Sequence, residues 1–257
     1  MNKSMFDLTG KVALVTGGNG GIGLGISKGL ANSGADVVIC GRDWKKTEQA
    51  VAEVSEIGRR VLGLVTEVTD EDSVSAMVKQ TIKEFQRIDI LVNNAGVSIR
   101  KAPQDYSITE WEYILGVNLT GTFLCSREVY PVMKKNHGGK IVNIGSMTSI
   151  FGNDYVMPYS ASKGGVVQLT KSLAIAWAKE NIQVNAILPG WINTDLTLPL
   201  RTNPEFRERY ELISSRIPQG RWGECEEIGG AAVFLASHAS DYVTGIALSI
   251  DGGYSSF

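Results

Sequence analysis

Histidine and cysteine are scarce in this chain. There are two of the first, His137 and His238, and three of the second, Cys40, Cys125 and Cys225, among 257 residues. The cysteines are far apart and odd in number. That excludes a disulfide framework and offers none of the close Cys or His spacings that hold zinc, so no metal site is read here. Unpaired cysteines fit a reducing compartment, and a cytoplasmic location is expected. The two histidines are isolated, each beside turn-like residues, and are expected on the surface. A charge excess is lacking too: a net charge of −2 gives no electrostatic case for nucleic acid or an anionic membrane as partner. No run approaches ~18 apolar residues and Met1–Met5 has no apolar signal core, so neither a membrane span nor export is expected. What is present, 43% apolar and 20% charged residues, suits a globular chain able to bury a core without staples.

Short apolar runs alternate with amphipathic stretches. Strands are predicted at Val12–Val15, Asp36–Gly41, Val61–Val65, Ile88–Val92, Lys140–Ile144, Gln183–Leu188 and Ala247–Ile250. Between them, helical patterns cover 22 to about 34, 43–57, 71–85, 109–133 with Thr109 as N-cap, 158 to about 180, and 226–236. This alternation predicts an α/β fold: a single domain, 1–257, with one doubly wound, Rossmann-like parallel sheet of about seven strands and helices on both faces. Its two halves should meet between the first and fourth strands. Residues 191–221 carry fewer strand signals and are expected to form a helical flap over a substrate.

Three features carry chemistry. The first strand ends in Thr16-Gly17-Gly18-Asn19-Gly20-Gly21-Ile22-Gly23 and a helix follows. In that context glycines let backbone approach a pyrophosphate whose charge sits at the helix N-terminus. At the end of the second strand, where an acid would hold the ribose hydroxyls of NAD, stand Gly41 and Arg42. A glycine leaves room for a 2′-phosphate and a guanidinium can bind it, which favours NADP over NAD. Asp43 could still neutralise Arg42 or turn to the ribose, and Arg42 could be no more than a solvated loop charge. Finally, Tyr159 and Lys163 lie four apart in a helical stretch, placing a phenol and an ammonium on one face. The cation should draw the phenol pKa down from about 10 and make it a general acid/base. The plain alternative is two ordinary residues on a solvated helix. Asn118, inside the 109–133 pattern, is unfavourable for a helix and should have a hydrogen-bonding task.

The set Thr16-Gly17-x-x-x-Gly21-x-Gly23, Asn93-Asn94-Ala95-Gly96, Asn118, Ser146, Tyr159-x-x-x-Lys163 and Pro189-Gly190, in this order and spacing, resembles the short-chain dehydrogenase/reductase family along essentially the whole chain. The resemblance implies an NAD(P)-dependent enzyme that interconverts a secondary alcohol and a ketone, with Asn118, Ser146, Tyr159 and Lys163 as catalytic residues. Tyr159 would exchange the proton and Ser146 would bind the carbonyl oxygen. Lys163 would hold the nicotinamide ribose and lower the Tyr159 pKa, while Asn118 would anchor a relay water. It also implies a cofactor site made of Gly17, Asn19, Gly21, Ile22, Gly23, Arg42, Glu67, Val68, Asn94, Ala95, Gly96, Tyr159, Lys163, Pro189, Gly190, Ile192 and Thr194. Glu67 departs from the aspartate the family often has there, which bonds adenine. Gly96–Pro103 and Arg216–Gly223 are similar to the family's gluconate, deoxygluconate and glucose dehydrogenase branch, which implies a sugar or sugar-acid substrate. Arg100 and Lys101 could meet its carboxylate. Met147, Ile150, Phe151, Tyr155, Trp191 and Leu196 would line the pocket, which leaves open a hydrophobic or cyclic ketone, or a 3-oxoacyl thioester. A catalytically silent nucleotide sensor is the non-enzymatic alternative. The family also implies a homotetramer formed through the long helices and the C-terminal segment.

Overall fold

The computed structural model describes residues 4–195 and 197–256. Strand β1 (Val12–Thr16) is buried along its whole length, as a strand walled by helices on both faces must be. Its side chains divide by parity. Ala13 and Val15 join Ile26 and Leu30 of helix α1 (Gly21–Asn32) in one core cluster, and Val12 and Leu14 join the cluster on the opposite face. The chain continues through β2 (Asp36–Gly41), α2 (Trp44–Ser55), β3 (Val61–Val65), α3 (Glu71–Phe85) and β4 (Ile90–Asn93). The second half holds α4 (Ile108–Leu115), α5 (Gly121–Lys135), β5 (Gly139–Ile144), α6 (Met157–Trp177), β6 (Ile182–Pro189), α7 (Leu198–Thr202), α8 (Arg207–Ser215), α9 (Cys225–Ala236) and β7 (Ala247–Ile250).

All seven strands form one parallel sheet in the order β3-β2-β1-β4-β5-β6-β7. The chain leaves β1 toward β2 on one side and returns at β4 on the other, so the loops after β1 and β4 diverge. A crevice opens there, at the carboxyl ends of the strands. The fold class, the strand count and this switch point agree with the sequence reading.

The stretch expected to be one helix from 109 to 133 differs. Ser107, not Thr109, is the N-cap: its hydroxyl accepts from the Glu110 amide, and the Glu110 carboxylate accepts from the Ser107 amide. The Ser-x-x-Glu signature of this capping box stood in the sequence two residues ahead of the assigned start. Between α4 and α5 the backbone widens into a π turn, Gly116–Thr120. Such turns concentrate at functional sites, and this one buries Asn118 completely.

Residues 191–223 include α7 and α8 and have a small core of their own. Leu200, Ile213, Ile217 and Trp222 cluster with Trp191, Tyr210 and Tyr254, apart from the two clusters that cover the sheet. Both histidines are exposed, and the three cysteines are unpaired. No helix among the described residues is long and apolar enough to cross a membrane.

Candidate active site

A cavity of about 520 Å³ crosses the carboxyl ends of the strands. It runs from Arg42 past the glycine-rich turn to Ser146, Tyr159 and Lys163, and ends at Arg100, Arg209 and Tyr155. The turn is built for close approach. Gly17 adopts φ +62°, a region that L side chains avoid. The Asn94 amide clamps the turn from β4, donating to the carbonyl oxygens of Thr16 and Gly17 at 3.1 and 2.9 Å. α1 then starts with no side-chain cap and no acid in its first turn, so its amides are open to an anion.

Of the residues predicted for the cofactor, all but Gly23 border this cavity. Gly23 lies beneath the turn, where a Cβ would run into the Gly17 carbonyl; its part is packing. At the Arg42 end of the cavity the expectation for Gly41 needs correction. The space beside it is filled by the Asn19 side chain, whose amide donates to Thr47 Oγ1 at 3.0 Å. Asp43 does not neutralise Arg42, because its carboxylate caps α2 by accepting from the Lys46 amide. Glu67 is the acid that faces Arg42, at 3.7 Å. Its other oxygen accepts from the Thr69 amide and hydroxyl. Arg42 also donates to the Tyr113 hydroxyl at 3.1 Å. That bond first, then Glu67, holds the guanidinium above its ordinary pKa.

At the inner end, α6 presents Tyr159 and Lys163 one turn apart, with Lys163 Nζ 5.6 Å from the Tyr159 ring centroid. Lys163 is only 4% exposed, and Nζ donates to the Ile144 carbonyl at 2.7 Å. Burial pushes its pKa down to about 8. The Tyr159 phenol was expected below its ordinary pKa and lies above it. Burial raises it, and the bond with Ser146 only partly offsets that rise. Ser146 follows β5, and its Oγ accepts from the Thr148 amide at 3.1 Å, so its hydroxyl proton is directed to Tyr159 or to a substrate oxygen.

Asn118 does not border the cavity. Its Oδ1 accepts from the Val97 amide at 2.8 Å, and its Nδ2 donates to the Val97 carbonyl and to Ser162 Oγ, both at 3.0 Å. The hydrogen-bonding task is thus to clamp the chain after β4, beside Lys163.

Met147, Tyr155 and Trp191 line the cavity. Ile150 does not and is 56% exposed; Phe151 packs edge-on against Tyr254; Leu196 lies outside the described residues. Lys101 is committed to Glu110 at 2.5 Å, which leaves Arg100. Sequence reasoning missed Lys46 and Arg209, both on the cavity wall. Neither belongs to a motif, and only the fold brings them there.

A doubly wound parallel sheet with a glycine-turn crevice and a Ser, Tyr and Lys cluster at its inner end defines a nucleotide-binding α/β protein equipped for proton transfer. Residues 17–255 match a family model described as enoyl-(acyl carrier protein) reductase. The chain is 42% identical over 250 residues to the 2-dehydro-3-deoxy-D-gluconate 5-dehydrogenase of Dickeya dadantii, covering 97% of each protein. It is 39% identical to the gluconate 5-dehydrogenase of Gluconobacter oxydans, over 97% of this chain and 96% of that one. Among solved structures it is similar to a gluconate 5-dehydrogenase from Burkholderia cenocepacia in complex with NADP and tartrate, with 37% identity, 98% of each chain covered and a TM-score of 0.93. The protein belongs to the short-chain dehydrogenase/reductase family.

Proposed function

We propose that the protein is an NADP(H)-dependent dehydrogenase/reductase that interconverts a secondary hydroxyl and a ketone on a sugar acid. The observation that carries this reading is one cavity whose walls include Ser146, Tyr159 and Lys163 together with Arg100. The open N-terminus of α1, the glycine turn and Arg42 fit a phosphorylated dinucleotide. When bound, the nicotinamide supplies the hydride in reduction and accepts it in oxidation. The chain does the rest. The Ser146 hydroxyl donates to the substrate oxygen as negative charge develops on it, and the Tyr159 phenol delivers the proton that completes the alcohol. The Lys163 ammonium stabilises the phenolate left behind. Oxidation runs the same proton back onto Tyr159. Asn118 acts as a positioning residue through Val97.

Residues 191–221 act as the substrate flap, packed on a small core apart from the two that cover the sheet. The site belongs to a cytoplasmic homotetramer. Exposed apolar side chains on the long helices α5 and α6, Phe123 and Ile175, support assembly through those faces.

A panel of sugar acids, neutral sugars and hydrophobic cyclic ketones, followed by NADPH absorbance, tests the reading. We expect kcat/KM for the favoured acid to exceed that of the other classes by at least about tenfold, a gap of roughly 1.4 kcal/mol. Preference for a cyclic ketone would instead favour the apolar reading that Met147, Tyr155 and Trp191 support, and turnover of none would leave a nucleotide sensor. Arg42→Ala should weaken NADPH about 10- to 100-fold, as loss of a charge-assisted phosphate contact requires. NADH should change by no more than a few-fold. Equal losses for both cofactors in fluorescence titration would overturn the NADP preference.

A further inference from the structure

Arg209 has no part in the reading above, yet its placement is specific. It sits on α8, and α8 is seated by an aromatic stack. Trp222, 4% exposed, lies between Trp191 and Tyr210 with ring centroids 5.2 Å away on each side. Its indole nitrogen donates to Ser214 Oγ at 3.0 Å. With Tyr210 fixed in this way, the adjoining Arg209 is held over the Tyr155 ring, Cζ 4.9 Å from the centroid, on the wall of the same cavity as Arg100.

Two guanidiniums on one cavity repel each other, and the effect registers on Arg100. Its pKa is lowered, first by burial and then by the charge of Arg209. Among the described residues Arg100 has no carboxylate partner. Arg209 pairs with Asp154, 3.8 Å away with its carboxyl 75% exposed, a pair of the kind that contributes little. Two guanidiniums on one cavity, with the loose and exposed Asp154 contact their only carboxylate pairing among the described residues, mark a place for an anionic ligand. On the same walls, Trp191 Nε1 and Thr148 Oγ1 are buried and lack partners. Buried polar atoms of this kind call for a ligand's polar groups, and the hydroxyls of a polyhydroxy acid would serve.

We infer that Arg209, carried by the flap, closes on the substrate's carboxylate opposite Arg100 and makes the enzyme prefer an anionic substrate to its neutral counterpart. This rests on the sugar-acid reading. It adds a specificity-determining residue from the segment that follows the sixth strand in the chain, and it makes flap closure depend on the substrate's charge.

The test compares the acid that the panel ranks first with its uncharged amide, in wild type, Arg209→Gln and Arg209→Lys. In Arg209→Gln, kcat/KM for the acid should fall about 10- to 100-fold, mostly through KM, while the amide loses far less. Arg209→Lys should fall between wild type and Arg209→Gln, since an ammonium keeps the charge but loses the bidentate fork. NADPH titration within about twofold of wild type reports that each variant is folded. Equal losses on acid and amide would show that Arg209 only packs the flap and would overturn the inference. A wild-type enzyme that turns over no sugar acid would fail earlier, at the substrate reading itself, and would remove the inference with it.

Discussion

Phenylalanine at position 159 should lower kcat by about 10²- to 10⁴-fold, the range a general acid contributes, while NADPH binds within about twofold of wild type. The substitution removes one hydroxyl and keeps the ring against which Lys163 Nζ rests at 5.6 Å, so the cavity keeps its shape. Without the phenol the substrate oxygen retains the Ser146 hydroxyl but has no proton source on the protein. The loss should therefore appear in kcat and kcat/KM alike, as for a contact made only in the transition state. The wild-type pH profile carries the same signature. Burial holds the phenol above its ordinary pKa, so near neutral pH it is protonated and ready for reduction. Oxidation needs the phenolate and should accelerate as pH rises; that slope should vanish in Tyr159→Phe. Steady-state rates across pH and a fluorescence titration of NADPH decide it, and a variant turning over within tenfold of wild type would remove Tyr159 from the chemistry.

Lys163→Met should abolish most turnover and, at neutral pH, make the fold more stable. The Lys163 residue is 4% exposed, and its ammonium donates to the Ile144 carbonyl at 2.7 Å. Its pKa falls from 10.5 to about 8. A folded-state pKa lowered for a basic group means the unfolded chain binds more protons between pH 8 and 10.5. The penalty for burying the charge is therefore complete below pH 8, shrinks as pH climbs through that window, and is gone above it. At about 1.4 kcal/mol per pKa unit, the penalty is roughly 3 kcal/mol. Leaving the buried Ile144 carbonyl without the Lys163 bond gives back about 1 kcal/mol of that on replacement. Methionine fills similar space without the charge, so a net gain of about 2 kcal/mol is expected, some 4–8 °C in Tm for a chain of this size. Thermal melts at pH 7 and pH 10 test the sign. The advantage of Lys163→Met should be large at the first and small at the second. A variant less stable than wild type at pH 7 would mean that the ammonium is better compensated than its surroundings indicate. The gain in stability together with the loss of activity would mark Lys163 as a residue kept for function at the expense of the fold.

The local part of this protein stood in its sequence. Strand after helix, the glycine turn, and a tyrosine and lysine one turn apart are patterns of period and spacing. They involve neighbours along the chain and need no knowledge of what packs against them. The misplaced N-cap is an error of the same local kind, since Ser107 and Glu110 carried the signal. Only the tertiary structure decided that Asn19 fills the space beside Gly41, that Glu67 rather than Asp43 faces Arg42, and that Arg209 reaches the cavity that Arg100 borders. It also reversed the expected direction of the Tyr159 pKa. Desolvation is summed over every group within reach, and most of those groups arrive from other strands and helices. A motif can place the lysine beside the tyrosine, but the dielectric around the pair belongs to the assembled fold.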